Sequence, residues 1–147
     1  MSHSLRFISL MWLVVCAGLT FADDNNSKVF GHYQVHYSVF NSDFLTPEVA
    51  RQYQLTRSRS LGLINITVID TNTNQAVSAG VTGNAYNLAG QNKSLVFREI
   101  KEQGAIYYIA DFRFVNEERL HFKLNVSPDG IEDQFALDFK HTVYVTE

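Results

Sequence analysis

Between residues 120 and 143 the chain alternates apolar and polar side chains on both sides of one dipeptide, Asp129-Gly130. Asp-Gly between alternating runs is a strong signal for a two-residue β-hairpin, so paired positions are expected to sum to 259. That register sets Leu120 against Phe139, Phe122 against Leu137 and Leu124 against Phe135, with His121 facing Asp138 on the opposite side. A slip of one residue would turn one strand's apolar set to solvent. The stretch is therefore restricted to a half-buried antiparallel pair.

The same period of two recurs upstream. Tyr33, Val35, Tyr37 and Val39 share one face of a strand, and Ile64, Ile66 and Val68 one face of another, where Gly62 marks a bulge or a close backbone approach. Val77, Ala79, Val81, Gly83 and Ala85 form a series whose small members imply close packing against a neighbour. Gln103-Gly104 is a second, weaker turn; a sum of 207 pairs Leu95 with Phe112 and Phe97 with Ala110, and brings Arg98 diagonally near Asp111. Seven strands are predicted, near residues 31–40, 61–70, 76–87, 94–102, 105–114, 120–127 and 132–145. The predicted fold is all-β: an immunoglobulin-like β-sandwich of about seven antiparallel strands, with one short helix between strands one and two. The Cys-Trp-Cys hallmark of antibody domains is absent, and a lipocalin-type barrel would call for an eighth strand.

Arg6, the apolar run 7–21 and Thr20-Phe21-Ala22 before Asp23-Asp24 follow the order of a secretory signal peptide. The run is shorter than the roughly 20 residues a spanning helix needs. Residues 1–22 are thus expected to be a signal peptide cleaved near Ala22, leaving residues 23–147 as a single β-sandwich domain in the periplasm. Cleavage removes the lone cysteine, Cys16, so disulfides cannot stabilise the remaining 125 residues, and with Arg6 gone the net charge moves from −3 to −4. This mild acidity argues against a nucleic-acid partner, and nothing in the mature chain suggests a stable membrane anchor.

One stretch, residues 40–65, interrupts the strands. Asn41-Ser42-Asp43 marks a turn, and Thr46-Pro47-Glu48 reads as an N-cap, a first-turn proline and a carboxylate at the positive helix end. Leu45 is placed to staple onto Ala50, for a helix over residues 47–53. Arg51, Arg57 and Arg59 concentrate positive charge there, and an arginine fork matches carboxylate or phosphate. Asn41, Glu48, Tyr53, Arg57 and Arg59 are the candidate binding residues, for a protein or a small anionic ligand. The competing structural reading has Leu45, Val49 and Tyr53 plugging one end of the sandwich while the arginines pin or solvate its rim.

Catalytic parts are missing. No serine or threonine sits in a nucleophile elbow, and no phosphate loop is present. His32 and His36 would lie about 13 Å apart along a strand, too far for one ion. Glu99, Glu102, Glu117 and Glu118 fall at strand ends and turns, where solvated carboxylates are ordinary. No catalytic residue, metal site or cofactor is assigned.

The residues Phe40-Asn41, Phe44-Leu45, Pro47-Glu48-Val49-Ala50, Tyr53, Thr56-Arg57-Ser58, Gly62, Asn65, Asn87-Leu88, Gly90-Gln91, Phe97-Arg98-Glu99-Ile100 and Tyr107-Tyr108-Ile109-Ala110 resemble an uncharacterised family of exported gammaproteobacterial proteins, domain-of-unknown-function family 4426. The resemblance spans essentially the whole mature chain. It implies export and one domain, and carries no assigned activity. Two classes of function follow: a non-catalytic binding or accessory module working through residues 40–60, or a small periplasmic hydrolase or lyase using Glu48, Tyr53 and a histidine. A histidine within reach of Glu48 or Tyr53 in a concave pocket separates them.

Overall fold

The computed structural model describes residues 26–147, so the leader expected over residues 1–22 lies outside the described residues. Ten strands and one α-helix run in the order β1 (Ser27–Phe30), β2 (Tyr33–Asn41), α1 (Pro47–Gln52), β3 (Leu61–Asp70), β4 (Gln75–Ala76), β5 (Ala79–Asn87), β6 (Asn92–Leu95), β7 (Arg98–Glu102), β8 (Ala105–Arg113), β9 (Glu118–Pro128) and β10 (Phe135–Val143). One sheet has the order β1-β2-β3-β8-β7 with β4 on β3, and the other β10-β9-β5-β6, all antiparallel. In immunoglobulin lettering β2-β3-β8-β7 is A-B-E-D and β10-β9-β5 is G-F-C. The expected sandwich is the observed one.

The strands beyond seven come from a short added edge and two sheet switches. β1 pairs with β2 across a turn in which Gly31 takes φ 60. The strand expected over 76–87 breaks at Val77-Ser78: β4 stays with β3 while β5 joins β9 in the second sheet. The strand expected over 94–102 breaks at Val96-Phe97 in the same way, β6 pairing with β5 and β7 with β8. Leu95 therefore pairs with Gly83 rather than Phe112, and Arg98 lies opposite Ile109.

Both hairpins are present. Gln103-Gly104 holds the expected register, Arg98 to Ile109 through Glu102 to Ala105, because both turn residues take positive φ, 41 and 86. Asp129-Gly130 turns, with Gly130 at φ 83, but does not close a two-residue hairpin. Asp129 N–H bonds the Ser78 carbonyl at 2.9 Å, and pairing resumes with Phe135 opposite Val126. Leu137 then faces Leu124 and Phe139 faces Phe122, two positions from the predicted register. An even shift preserves every face, so Leu120, Phe122, Leu124 and Leu137 are buried as expected.

The core lies between the sheets, with Val35, Ile64, Ile66 and Val68 on one side and Leu120, Phe122, Leu124 and Val126 on the other. Phe122 stacks on Phe139 at 4.9 Å and meets Phe112 edge-on at 5.5 Å. Gly62 is a close approach: a Cβ there would lie 2.3 Å from the Phe112 ring.

Candidate functional site

Residues 42–60 do not cap an end of the sandwich. They cross the outer face of the first sheet, which is where the expected plug is corrected. On β3, Ile64, Ile66 and Val68 face the inner core while Leu61 and Leu63 face outward, yet both leucines are buried. Their cover is the crossing itself.

Local chemistry sets its path. Thr46 Oγ1 accepts from Val49 N–H at 3.3 Å and Pro47 opens α1, as its sequence predicts. The helix closes in a Schellman turn, with Gln54 at φ 55, Leu55 N–H on the Ala50 carbonyl at 2.7 Å and Gln54 N–H on the Arg51 carbonyl at 3.2 Å. That turn sends Leu55 back toward the sheet. Ser42, fully buried, donates to the Ser58 carbonyl at 3.1 Å and accepts from Ser58 N–H at 2.8 Å, tying the two ends of the crossing.

Between crossing and sheet is a half-open cavity of about 180 Å³. Leu45, Val49, Tyr53 and Leu55 form its roof, and Phe40, Leu63, Asn65 and Ile109 its floor. Ile100, Glu102 and Tyr107 close one side. The wall is predominantly apolar, and two of its polar groups stand out. Asn65 Oδ1 is buried and has no hydrogen-bond partner among the described residues. Glu102 accepts from Gln52 Nε2 at 3.3 Å, and its carboxylate beside the Tyr53 phenol, with some desolvation, raises the Tyr53 pKa above its ordinary 10.0. Tyr53 is accordingly a neutral donor at physiological pH. Among the described residues no lysine or arginine forms an ion pair with Glu102.

The five residues singled out from sequence divide between this pocket and its supports. Tyr53 lines it. Arg57 bonds the carbonyls of Leu45 at 2.7 Å through Nε and of Asp43 at 3.1 Å through Nη2. Asn41 Nδ2 donates to the Tyr144 carbonyl at 2.6 Å and to Thr146 Oγ1 at 3.1 Å, and Arg59 Nε donates to the Thr146 carbonyl, so both hold the chain's last residues. Glu48 is exposed on the first helical turn. Neither Arg57 nor Arg59 lines the cavity, and an anion entering it would meet the Glu102 carboxylate instead.

Other polar candidates serve the fold. Glu99 accepts from the Tyr108 hydroxyl at 2.8 Å, and that hydroxyl accepts from Ala79 N–H at 2.8 Å. Glu118 pairs with Lys93 at 3.2 Å and with Asn87 Nδ2 at 3.0 Å. His121 Nε2 meets Asp138 Oδ1 on the outside of the second sheet, reaching diagonally in the observed register. No histidine lines the pocket. Asn65, Glu102 and Ile109 are pocket residues that the sequence reading missed. A legible signal existed: Phe40, Leu63 and Ile109 are apolar on the outward face of strands whose inward face is already apolar, the mark of a sheet covered on both sides.

Residues 27–146 match the family described as Domain of unknown function (DUF4426). The chain belongs to this family. A DUF4426 protein from Pseudomonas aeruginosa PAO1, known from a crystal structure, is 38% identical over 82% of this chain and 95% of that one, with a TM-score of 0.74. A family 123 glycoside hydrolase from Clostridium perfringens is 10% identical over 76% of this chain and 27% of that one; its TM-score of 0.35 carries no argument. No curated protein matches.

Proposed function

We propose that this DUF4426 protein is an exported, non-catalytic binding module of the periplasm that takes a small ligand between α1 and the outer face of β3 and β8. The observation that carries the reading is the half-open, predominantly apolar cavity beneath α1, bordered by the Tyr53 side chain and the Glu102 carboxylate. A few convergent polar groups in an apolar concavity are the ordinary composition of a ligand site. The leader pattern in residues 1–22 supports export. The catalytic alternative needs a histidine beside Tyr53 or Glu48, and the pocket supplies Tyr53 without one.

Methyl-labelled protein titrated with small apolar solutes tests the pocket. Shifts are expected at Val49, Leu55, Leu63 and Ile109, and are expected to vanish in Val49→Trp, which fills the roof from an exposed helical position. Shifts that persist in that variant, or that scatter over the second sheet, would remove the site. Export is checked separately by mass spectrometry of protein from the periplasmic fraction, where the N-terminus is expected near Asp23; full-length chain retained in membranes contradicts it.

A further inference from the structure

The terminal strands of the two sheets are not alike. β1 and β6 offer four residues each, and β7 five, of which Arg98, Glu99, Lys101 and Glu102 are charged. Short length and charge are the usual protection of an edge against a further strand. β10 ends the second sheet with nine residues, and among the described residues its main chain pairs only with β9. The other sheet approaches it through rings, Phe30 on Phe135 at 4.7 Å and Tyr37 on Phe139 at 4.1 Å. Charge on the outward face of β10 is left unmatched. Lys140 lies opposite His121, its diagonal neighbours on β9 are Arg119 and Lys123, and it forms no ion pair among the described residues. Asp138 gives Oδ1 to His121 Nε2, while Lys123, directly across from it, reaches over the Tyr86 ring at 6.0 Å. A carboxylate oxygen and an ammonium thus stand without partners, two residues apart on an open edge.

We infer that two copies of this chain join through β10, antiparallel about a two-fold axis at Phe139, so that two four-stranded sheets become one of eight strands. Side chains alternate with period two, so such a pairing keeps both outward faces on one side only where paired residue numbers sum to an even value. A sum of 276 sets Asp138 against its own copy and 280 sets Lys140 against its own, and like charges directly opposite repel. A sum of 278 sets Asp138 against the partner's Lys140 and Lys140 against the partner's Asp138. It is also the register that pairs the whole of β10, Phe135–Val143, with itself. Length and charge therefore select the same alignment. On the inner face Phe139, half-buried, meets the partner's Phe139, an aromatic cross-strand pair that adds to the ladder. The pocket beneath α1 is on the other sheet, and a dimer through β10 does not depend on it.

Sedimentation of the purified protein from about 1 to 500 µM is expected to show a mass rising from one chain to two. Lys140→Asp and Asp138→Lys each make both cross-axis pairs repulsive, and each should weaken the dimer at least about tenfold. Both side chains are exposed, so circular dichroism should not change. Mixed one to one, the variants set two carboxylates against two ammonium groups and should recover a mixed dimer near wild-type strength. A wild type that stays monomeric over the whole range would overturn the dimer. Dimers indifferent to both substitutions, or variants that weaken it and do not recover on mixing, would overturn the β10 pairing. Where Asp138→Lys fails to fold because His121 loses its partner, Lys140→Asp decides alone: a loss of at least about tenfold supports the pairing and an unchanged dimer overturns it.

Discussion

Gly62 and the Phe112 ring occupy one space, and the missing side chain is what lets β3 and β8 pair with the ring between the sheets. Gly62 does not take a positive φ, so steric room alone requires the glycine. Gly62→Ala would drive a methyl group to 2.3 Å from ring carbon, and overpacking of this sort costs about 1–3 kcal/mol. Urea denaturation should show that loss, with part of it recovered in Gly62→Ala/Phe112→Leu; no recovery would mean the clash lies elsewhere. Phe122 tests the opposite case. It is fully buried between Phe112 and Phe139, and Phe122→Ala should cost about 3–5 kcal/mol. A loss under about 1 kcal/mol would contradict its burial.

Elements were legible where side-chain period and turn chemistry acted together, and illegible where a distant partner decided. The faces of β2, β3, β9 and β10 follow from alternation alone. The Gln103-Gly104 register follows too, because two positive φ values make a two-residue turn. Asp129-Gly130 carries the same local signal, but the bond from Asp129 to the Ser78 carbonyl draws it toward the start of β5 and displaces the register by two. The breaks at Val77-Ser78 and Val96-Phe97 depend on which sheet has a free edge, a property of no local segment. The pocket was half legible. Thr46, Pro47 and Tyr53 announced the helix and its direction, whereas Asn65 and Glu102 are joined only through β8.

The link between β5, β6 and the start of β9 allows a pH test at this scale. Burial by itself would raise the Glu118 pKa; hydrogen bonds from Asn87 and Lys93, with the Lys93 charge, outweigh it and hold the carboxyl below its ordinary 4.5. A carboxyl lowered in the folded state stabilises above the unfolded value and loses that contribution as pH falls through the folded value. Glu118→Gln should therefore be less stable than wild type near neutrality, by on the order of 1 kcal/mol, with the difference shrinking as pH falls from about 5 toward 3. A gap independent of pH across that range would assign the effect to packing instead of charge.

At the scale of the whole molecule, β3 and β8 are shared by two apolar compartments, one between the sheets and one beneath residues 42–60. The outer one is closed by few ties: the Ser42–Ser58 pair, Arg57 on the carbonyls of Asp43 and Leu45, and Arg98 on the Tyr53 carbonyl at 2.7 Å. Segments with few apolar contacts open at lower free energy than a core, and a pocket under such a segment gains an entry route. Hydrogen exchange distinguishes this local opening from global unfolding. If the crossing opens alone, Phe122 stays packed in both the closed and the opened states. Phe122→Ala should then speed exchange of the inner-core amides of β9 while leaving the Ala50 and Tyr53 amides of α1 unchanged. Ser42→Ala acts on the closed state itself, because it leaves Ser58 N–H without its partner while the Ser58 carbonyl keeps Leu61 N–H at 3.4 Å; it should speed the α1 amides by about 5- to 150-fold, the exchange equivalent of about 1–3 kcal/mol for an unpaired group. Faster α1 exchange in Phe122→Ala would instead mean that the crossing comes away only when the whole sandwich unfolds, and the pocket would then fill through the opening it already has.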